Sequence, residues 1–175
     1  MNRVWLILSA VGLLYLASFV HADEVTVNIS LVNESGVGQS IGSVRISDGK
    51  YGLMLIPNLS GLPAGAHGFH LHEFAECGPK DQNGKMVPAL AAGGHFDPAK
   101  SGKHEGPFAD GHLGDIPALW VGADDKATTP LLAPRLKVAD LKGHSLMIHA
   151  GADNYSDQPA PLGGGGARIA CGVVK

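Results

Sequence analysis

The chain has 175 residues, with 13 basic and 16 acidic side chains, and a formal net charge of −3 that gives it no global attraction for nucleic acid or an anionic membrane surface. Its length suits one domain with its own core, and 25 glycines with 11 prolines favour turns and loops over long helices. Its two cysteines, Cys77 and Cys171, allow at most one bridge within the chain.

The first segment is MNRVWLILSAVGLLYLASFVHADE, in which Arg3 is the only charge before an apolar run over residues 4–20 and Val20-His21-Ala22 offers a small-residue cleavage site. That is the layout of a secretory signal peptide, expected over residues 1–22. A membrane anchor is the rival, since about 17 apolar residues is the lower end of what spans a bilayer, but no charged stop-transfer flank follows the run. The mature chain is then one domain over residues 23–175, and losing Arg3 takes its charge to −4. Export puts the two cysteines where a disulfide persists. Closing a loop of roughly 100 residues contributes up to ~4.7 kcal/mol in the chain-entropy model. Two buried free thiols are the alternative.

Residues 24–31, EVTVNISL, alternate strictly, with Val25, Val27, Ile29 and Leu31 on one face, as a half-buried β-strand requires. Short apolar runs recur at residues 43–46, 51–56, 66–74, 136–138, 145–149 and 168–174, separated by turn signals such as Asp48-Gly49 and Lys142-Gly143. The pattern predicts an all-β sandwich or barrel without a second domain. Two long connections, residues 75–117 and 151–166, are rich in Gly, Pro, His and Asp, and loops of such length are usually functional.

The first apolar run containing histidine is GFHLHEFAECGP, residues 68–79. On a strand His70 and His72 project to one face, so their rings can converge on one ion. His149 ends another strand candidate, Leu146-Met147-Ile148-His149, and adjacent strands can thus offer three imidazoles. The loop then supplies His95, His104, His112 and Asp115, three imidazoles and a carboxylate within 21 residues, which suit a four-coordinate zinc. The strand set is one ligand short of four for a copper or zinc ion. One loop imidazole with both nitrogens metallated would complete both sites, a state that two cations together can enforce.

Taken together, GFHLHEFAECGP (68–79), GGHFDP (93–98), GKHEGPFADGHLGDIPAL (102–119), HAGADNYSD (149–157) and PLGGGGARIACGVV (161–174) resemble the copper–zinc superoxide dismutases, most of all their bacterial periplasmic branch. With the connecting strands, the resemblance covers the whole mature chain. It implies a flattened Greek-key β-barrel of eight strands, an Ig-like sandwich with two long functional loops. It makes His70, His72, His95 and His149 copper ligands, and His95, His104, His112 and Asp115 zinc ligands, with His95 shared between one copper and one zinc per chain. It implies a Cys77–Cys171 disulfide tying the loop to the last strand. Asp153 matches a carboxylate linking a copper histidine to a zinc histidine, and Arg168 an arginine that positions superoxide. The implied activity is disproportionation of superoxide in the periplasm. Copper alternates between oxidation states, zinc is structural, and His95 releases copper and takes up a proton in the reduced half-cycle. No nucleic-acid partner is implied, nor a membrane after signal cleavage.

A non-catalytic metal-binding relative would be expected to lack copper ligands or Arg168, and all are present. A zinc hydrolase would need an open zinc position, whereas the loop set supplies four ligands. Lys103 beside His104 is either a steering charge or a solvated lysine. His67 and His144 are expected at surface or packing positions. Trp120 is read either as an aromatic at a homodimer interface or as core. N-x-S triplets at Asn28, Asn33, Asn58 and Asn154 are glycan candidates only in a eukaryotic secretory route. A glycan on Asn154 would crowd Asp153, which favours bacterial export.

Overall fold

Alternation in residues 24–31 forms β1 (Glu24–Asn33), burying Val27 and Ile29 while Thr26 and Asn28 face water. The computed structural model describes residues 24–175; the expected signal segment lies outside the described residues. The alternation does not run on unbroken. Register shifts against the next strand at Ile29/Ser30 and Ser30/Val32 move the buried position from Leu31 to Val32. A bulge of this kind turns the following side chains to the other face.

β2 (Gly36–Gly49) and β3 (Gly52–Ser60) form a hairpin across the two-residue Lys50-Tyr51 loop, with Gly49 opposite Gly52. The apolar run at 66–74 becomes β4 (Gly65–His67) and β5 (Phe69–His72), broken at Gly68. The connection expected to be irregular contains its own hairpin, β6 (Lys80–Gln82) and β7 (Lys85–Val87), around Asn83-Gly84, the type of turn dipeptide that closes a tight hairpin. Three short strands follow: β8 (Leu119–Val121), β9 (Lys126–Ala127) and β10 (Leu131–Ala133). β11 (Ser145–His149) and β12 (Arg168–Val173) match the last two expected strands.

Residues 136–138 are not a strand. β10 pairs with β3 up to Ala133 opposite Leu53, and Pro134, without an N–H, ends the ladder. Leu136 then plugs the core and Val138 opens a single 3₁₀ turn.

The main sheet runs β10-β3-β2-β1-β12-β11-β5, all antiparallel, with β9 also on β3. β8 pairs with β4 and turns into β9 through the Gly122–Lys126 backbone hydrogen bond, so the pairings lead round from β5 back to β3. Inside lie Ile29, Val44, Ile46, Leu53, Leu55, Phe69, Leu71, Leu146 and Ile148. This is the all-β, curled antiparallel Greek-key architecture expected, and no helix among the described residues is long and apolar enough to cross a membrane.

Two strands carry both the core and the site. β5 is buried on both faces: Phe69 and Leu71 enter the core, leaving His70 and His72 to the opposite side. In β11, Leu146 and Ile148 face the core, while Met147 packs with Cys77 and Cys171 on the other face. Cys77 and Cys171 are disulfide-bonded, with Cα atoms 5.7 Å apart and a separation of 94 positions in sequence. The bridge pins the long connection after β5 to β12. Replacing both cysteines by serine is expected to lower the free energy of unfolding by about 2–4 kcal/mol, measured by urea denaturation of the oxidised parent and the variant.

Candidate metal centre

β5 and β11 pair with Met147 opposite His70 and Ile148 opposite Phe69, which carries His149 to the end of β5, where its amide donates to Gly68 O at 2.9 Å. Two further contacts pull the long loop onto β5: His72 bridges to His95, and His70 to Asp115. All six histidines of the expected set are buried, as is Asp115. His70, His72, His95 and His149 each present a ligand atom within 4.8 Å of the others', and so do His70, His95, His104 and Asp115. The first group is the expected strand set with His95; the second has His70 where His112 was expected, and His112 Nδ1 lies 3.4 Å from Asp115 Oδ1.

Four of the rings are held by their second nitrogen. His70 Nε2 lies 2.7 Å from Asp153 Oδ2, His72 Nδ1 3.0 Å from Gly93 O, and His149 Nδ1 3.1 Å from Gly166 O. His104 Nε2 lies 2.8 Å from Asp153 Oδ1. Asp153 thus joins a strand histidine to a loop histidine, the position expected for it. Such contacts set which nitrogen is left free and where it points.

The free atoms test whether cations fit. His70 Nδ1, His95 Nε2, His104 Nδ1, His112 Nδ1 and Asp115 Oδ2 are buried with no hydrogen-bond partner. His104 and His112 Nδ1 approach Asp115 Oδ1 to 3.1 and 3.4 Å, yet these atoms converge on shared space rather than hydrogen-bond to each other. An unpartnered buried polar atom costs about 1–3 kcal/mol, so a cluster of five is stable only with something that accepts their lone pairs. Nitrogen and carboxylate donors of this kind suit zinc and copper.

Proton affinities run the same way. Burial, reinforced by charge repulsion from His95, pushes the His70 imidazole down to about 3 despite Asp153, and burial brings His149 down to about 4. His72 and His95 are lowered by burial as well. Burial also works against charge on His104, but Asp115 and Asp153 outweigh it and raise the ring to about 9. The carboxyls of Asp115 and Asp153, which burial alone would raise, are held well below the usual carboxylate range by their histidine neighbours. His70, His72 and His149 are therefore neutral at neutral pH, whereas in the metal-free loop half a protonated His104 faces the ionised carboxylates of Asp115 and Asp153.

Arg168 sits opposite His149 across the β11–β12 pair. Its guanidinium donates to Ala89 O and Gly93 O, each at 2.6 Å, so Gly93 O holds both Arg168 and His72. Lys103 is well exposed and lies 3.9 Å from Glu105.

Several positioning residues carried no sequence signal. His67 is buried, its ring nitrogens 2.7 Å from His149 O and 2.8 Å from Pro63 O; His144 packs at a tilt against Phe96 and reaches Glu73 O at 2.8 Å. Asp157 accepts from the His104 amide at 2.9 Å and the Leu162 amide at 3.1 Å. The glycine run at 163–166 had a partial signal. At Gly163, φ is +71° and a Cβ would lie 2.0 Å from Asp153 Oδ1, so only glycine lets Asp153 reach both rings.

The copper/zinc superoxide dismutase family model matches residues 40–174. The chain belongs to the copper/zinc superoxide dismutase family. Superoxide dismutase [Cu-Zn] 1 of Salmonella typhimurium is 56% identical over 166 residues, covering 94% of both chains, and Superoxide dismutase [Cu-Zn] of Escherichia coli is 53% identical over 167 residues, covering 95% of this chain and 96% of that one. Among solved members of the family, Cu/Zn superoxide dismutase from Brucella abortus superposes with TM-score 0.86 at 49% identity, covering 87% of this chain and all of that one. The monomeric copper, zinc enzyme from Salmonella enterica gives TM-score 0.79 at 55% identity, over 87% of this chain and all of that one.

The metal-free protein should be most stable near neutral pH. His70 and His149 bind protons more weakly folded than unfolded. Their contribution is full above about pH 6.5 and falls as pH drops toward 4. His104 has the opposite sign: its contribution is full below about pH 6.5 and is lost as pH rises through about 9. Denaturant titrations of metal-stripped protein at acidic, neutral and alkaline pH check both limbs. Gly163→Ala should displace Asp153 and weaken metal retention about tenfold in chelator competition.

Proposed function

We propose that this chain is a copper–zinc superoxide dismutase of the bacterial periplasm, converting two superoxide anions and two protons into dioxygen and hydrogen peroxide. One observation carries the reading: two buried four-donor groups share His70 and His95, beside an arginine fixed across the strand from His149. His70, His72, His95 and His149 would hold copper. His95, His104, His112 and Asp115 would hold zinc. His70 also lies within reach of the loop group, but its Nε2 is engaged with Asp153, and the single nitrogen left can serve only one ion. His112, with its unpartnered Nδ1 facing Asp115, takes the fourth zinc position. His95 has Nδ1 2.9 Å from Asp115 and an unpartnered Nε2, and is the residue with a nitrogen for each side.

Bound copper supplies reversible one-electron chemistry with nitrogen ligands, while zinc is redox-inert. The chain's own residues do the remainder. Asp153, Gly93 O and Gly166 O fix the copper rings in tautomer and direction. The two carbonyls at Ala89 and Gly93 lock the plane of Arg168, so its remaining N–H groups offer a local positive charge to a small anion on a protein whose net charge is −3. His95 Nε2, buried and unpartnered, is the atom that would take up and release a proton needed for peroxide.

Export is supported by the apolar N-terminal run with its cleavage site, by the disulfide and by the bacterial relatives. Trp120, exposed on β8 rather than in the core, is the surface that a second copy of the chain would use. The decisive comparison loads copper and zinc and follows superoxide consumption in three proteins. His149→Ala should lose nearly all turnover, and Arg168→Ala at least about tenfold with copper content unchanged. Wild-type turnover in both variants would remove the proposed site.

A further inference from the structure

We propose that Arg135 is a positioning residue that pre-forms the zinc loop, by clasping four of its backbone carbonyls. The guanidinium donates through Nε to Pro107 O at 3.2 Å, through Nη1 to Gly111 O at 3.1 Å, and through Nη2 to Gly106 O at 3.3 Å and to His112 O. Among the described residues no carboxylate pairs with Arg135, so its donors are given over to the loop.

The loop needs such a partner. Residues 101–118 contain no strand or helix, so most of their carbonyls have no ladder amide to accept from. The loop doubles back where His112 N donates to Lys103 O at 2.9 Å, and a Cβ at Gly111 would lie 2.6 Å from that same oxygen. His104 and His112 ride on the two limbs of this fold-back. The second long loop grips one limb through Asp157 at the His104 amide, and Tyr155 packs against Gly106 while its hydroxyl accepts from Ala118 N at 3.0 Å. Arg135 joins the two limbs from the barrel, through Gly106 and Pro107 on one side and Gly111 and His112 on the other.

Its base is rigid. Ala133 pairs with Leu53 and Leu136 is buried in the core. Gly52 permits the close approach: at φ +134°, a Cβ there would lie 2.5 Å from Pro134 Cα.

The guanidinium carries a positive charge that works against a nearby cation, so its contribution is geometric. A planar fork with five N–H donors can span carbonyls on two limbs; a lysine ammonium, a point donor, cannot. The effect should also be selective, because His70, His72 and His149 stand on β5 and β11, which Arg135 does not touch.

The inference rests on the assignment of His95, His104, His112 and Asp115 to zinc, and the test separates the two. Zinc and copper affinities are measured by chelator competition on oxidised wild type, Arg135→Lys and Arg135→Ala, alongside amide exchange of the metal-free proteins. Both variants should lose about 10–100-fold in zinc affinity, with copper affinity within about threefold of wild type. In metal-free wild type the His112 amide should be protected, and in Arg135→Lys it should exchange at least about tenfold faster while Met147 and Ile148 keep their protection. Unchanged zinc affinity, equal losses of zinc and copper together with a lowered Tm, or an unprotected His112 amide in metal-free wild type would each overturn the proposal. Should Arg135→Ala fail to fold, the lysine variant and the wild-type exchange pattern still decide. Wild type that takes up no zinc would instead overturn the ligand assignment.

Discussion

Six imidazoles and two carboxylates, those of Asp115 and Asp153, lie together in one region from which water is largely excluded. Burial strips the rings of the solvent that would stabilise a proton, and the free nitrogens of His70, His95, His104 and His112 have no protein acceptor to replace it. Such a cluster cannot satisfy itself internally. A pair of cations can satisfy it, because each accepts several lone pairs at once. The orientation of His70, His72, His104 and His149, tied back by one nitrogen so that the other faces inward, follows from that constraint.

The work is divided between strands and loops. The donors proposed for copper, apart from His95, stand on β5 and β11, where hydrogen-bonded register sets their spacing: Met147 opposite His70 determines where His149 arrives. The donors proposed for zinc stand on a loop without regular structure, whose geometry depends on anchors from elsewhere. Asp153 couples the two halves through His70 and His104, Asp157 holds the His104 backbone, and the disulfide ties the stretch before the loop to β12. The strand half needs few such anchors because the sheet already supplies rigidity.

Much of the site was legible because its chemistry is local. An H-x-H pair on an alternating strand announces a shared face, and three histidines with an aspartate in one loop announce a closed ligand set. The fold class was legible from alternation and turn residues. Edges and short strands were not: β8, β9 and β10 are two or three residues long, too short for a period to register, and their pairing comes from β3 and β4. The hairpin of β6 and β7 was hidden inside a polar stretch, and the run at 136–138 misled because Pro134 closes the strand before it begins.

By itself the sequence determined the barrel class and the histidines and aspartates that gather at the site, since each depends on residue type at short range. Only tertiary structure decided what holds those donors. Backbone carbonyls at Gly93, Ala89 and Gly166 have no residue-specific signature, and Arg135, His67 and Asp157 act on atoms that folding alone brings near them. Hydrogen bonds to the main chain are set by where the chain passes, and a linear string does not encode that position at any single residue.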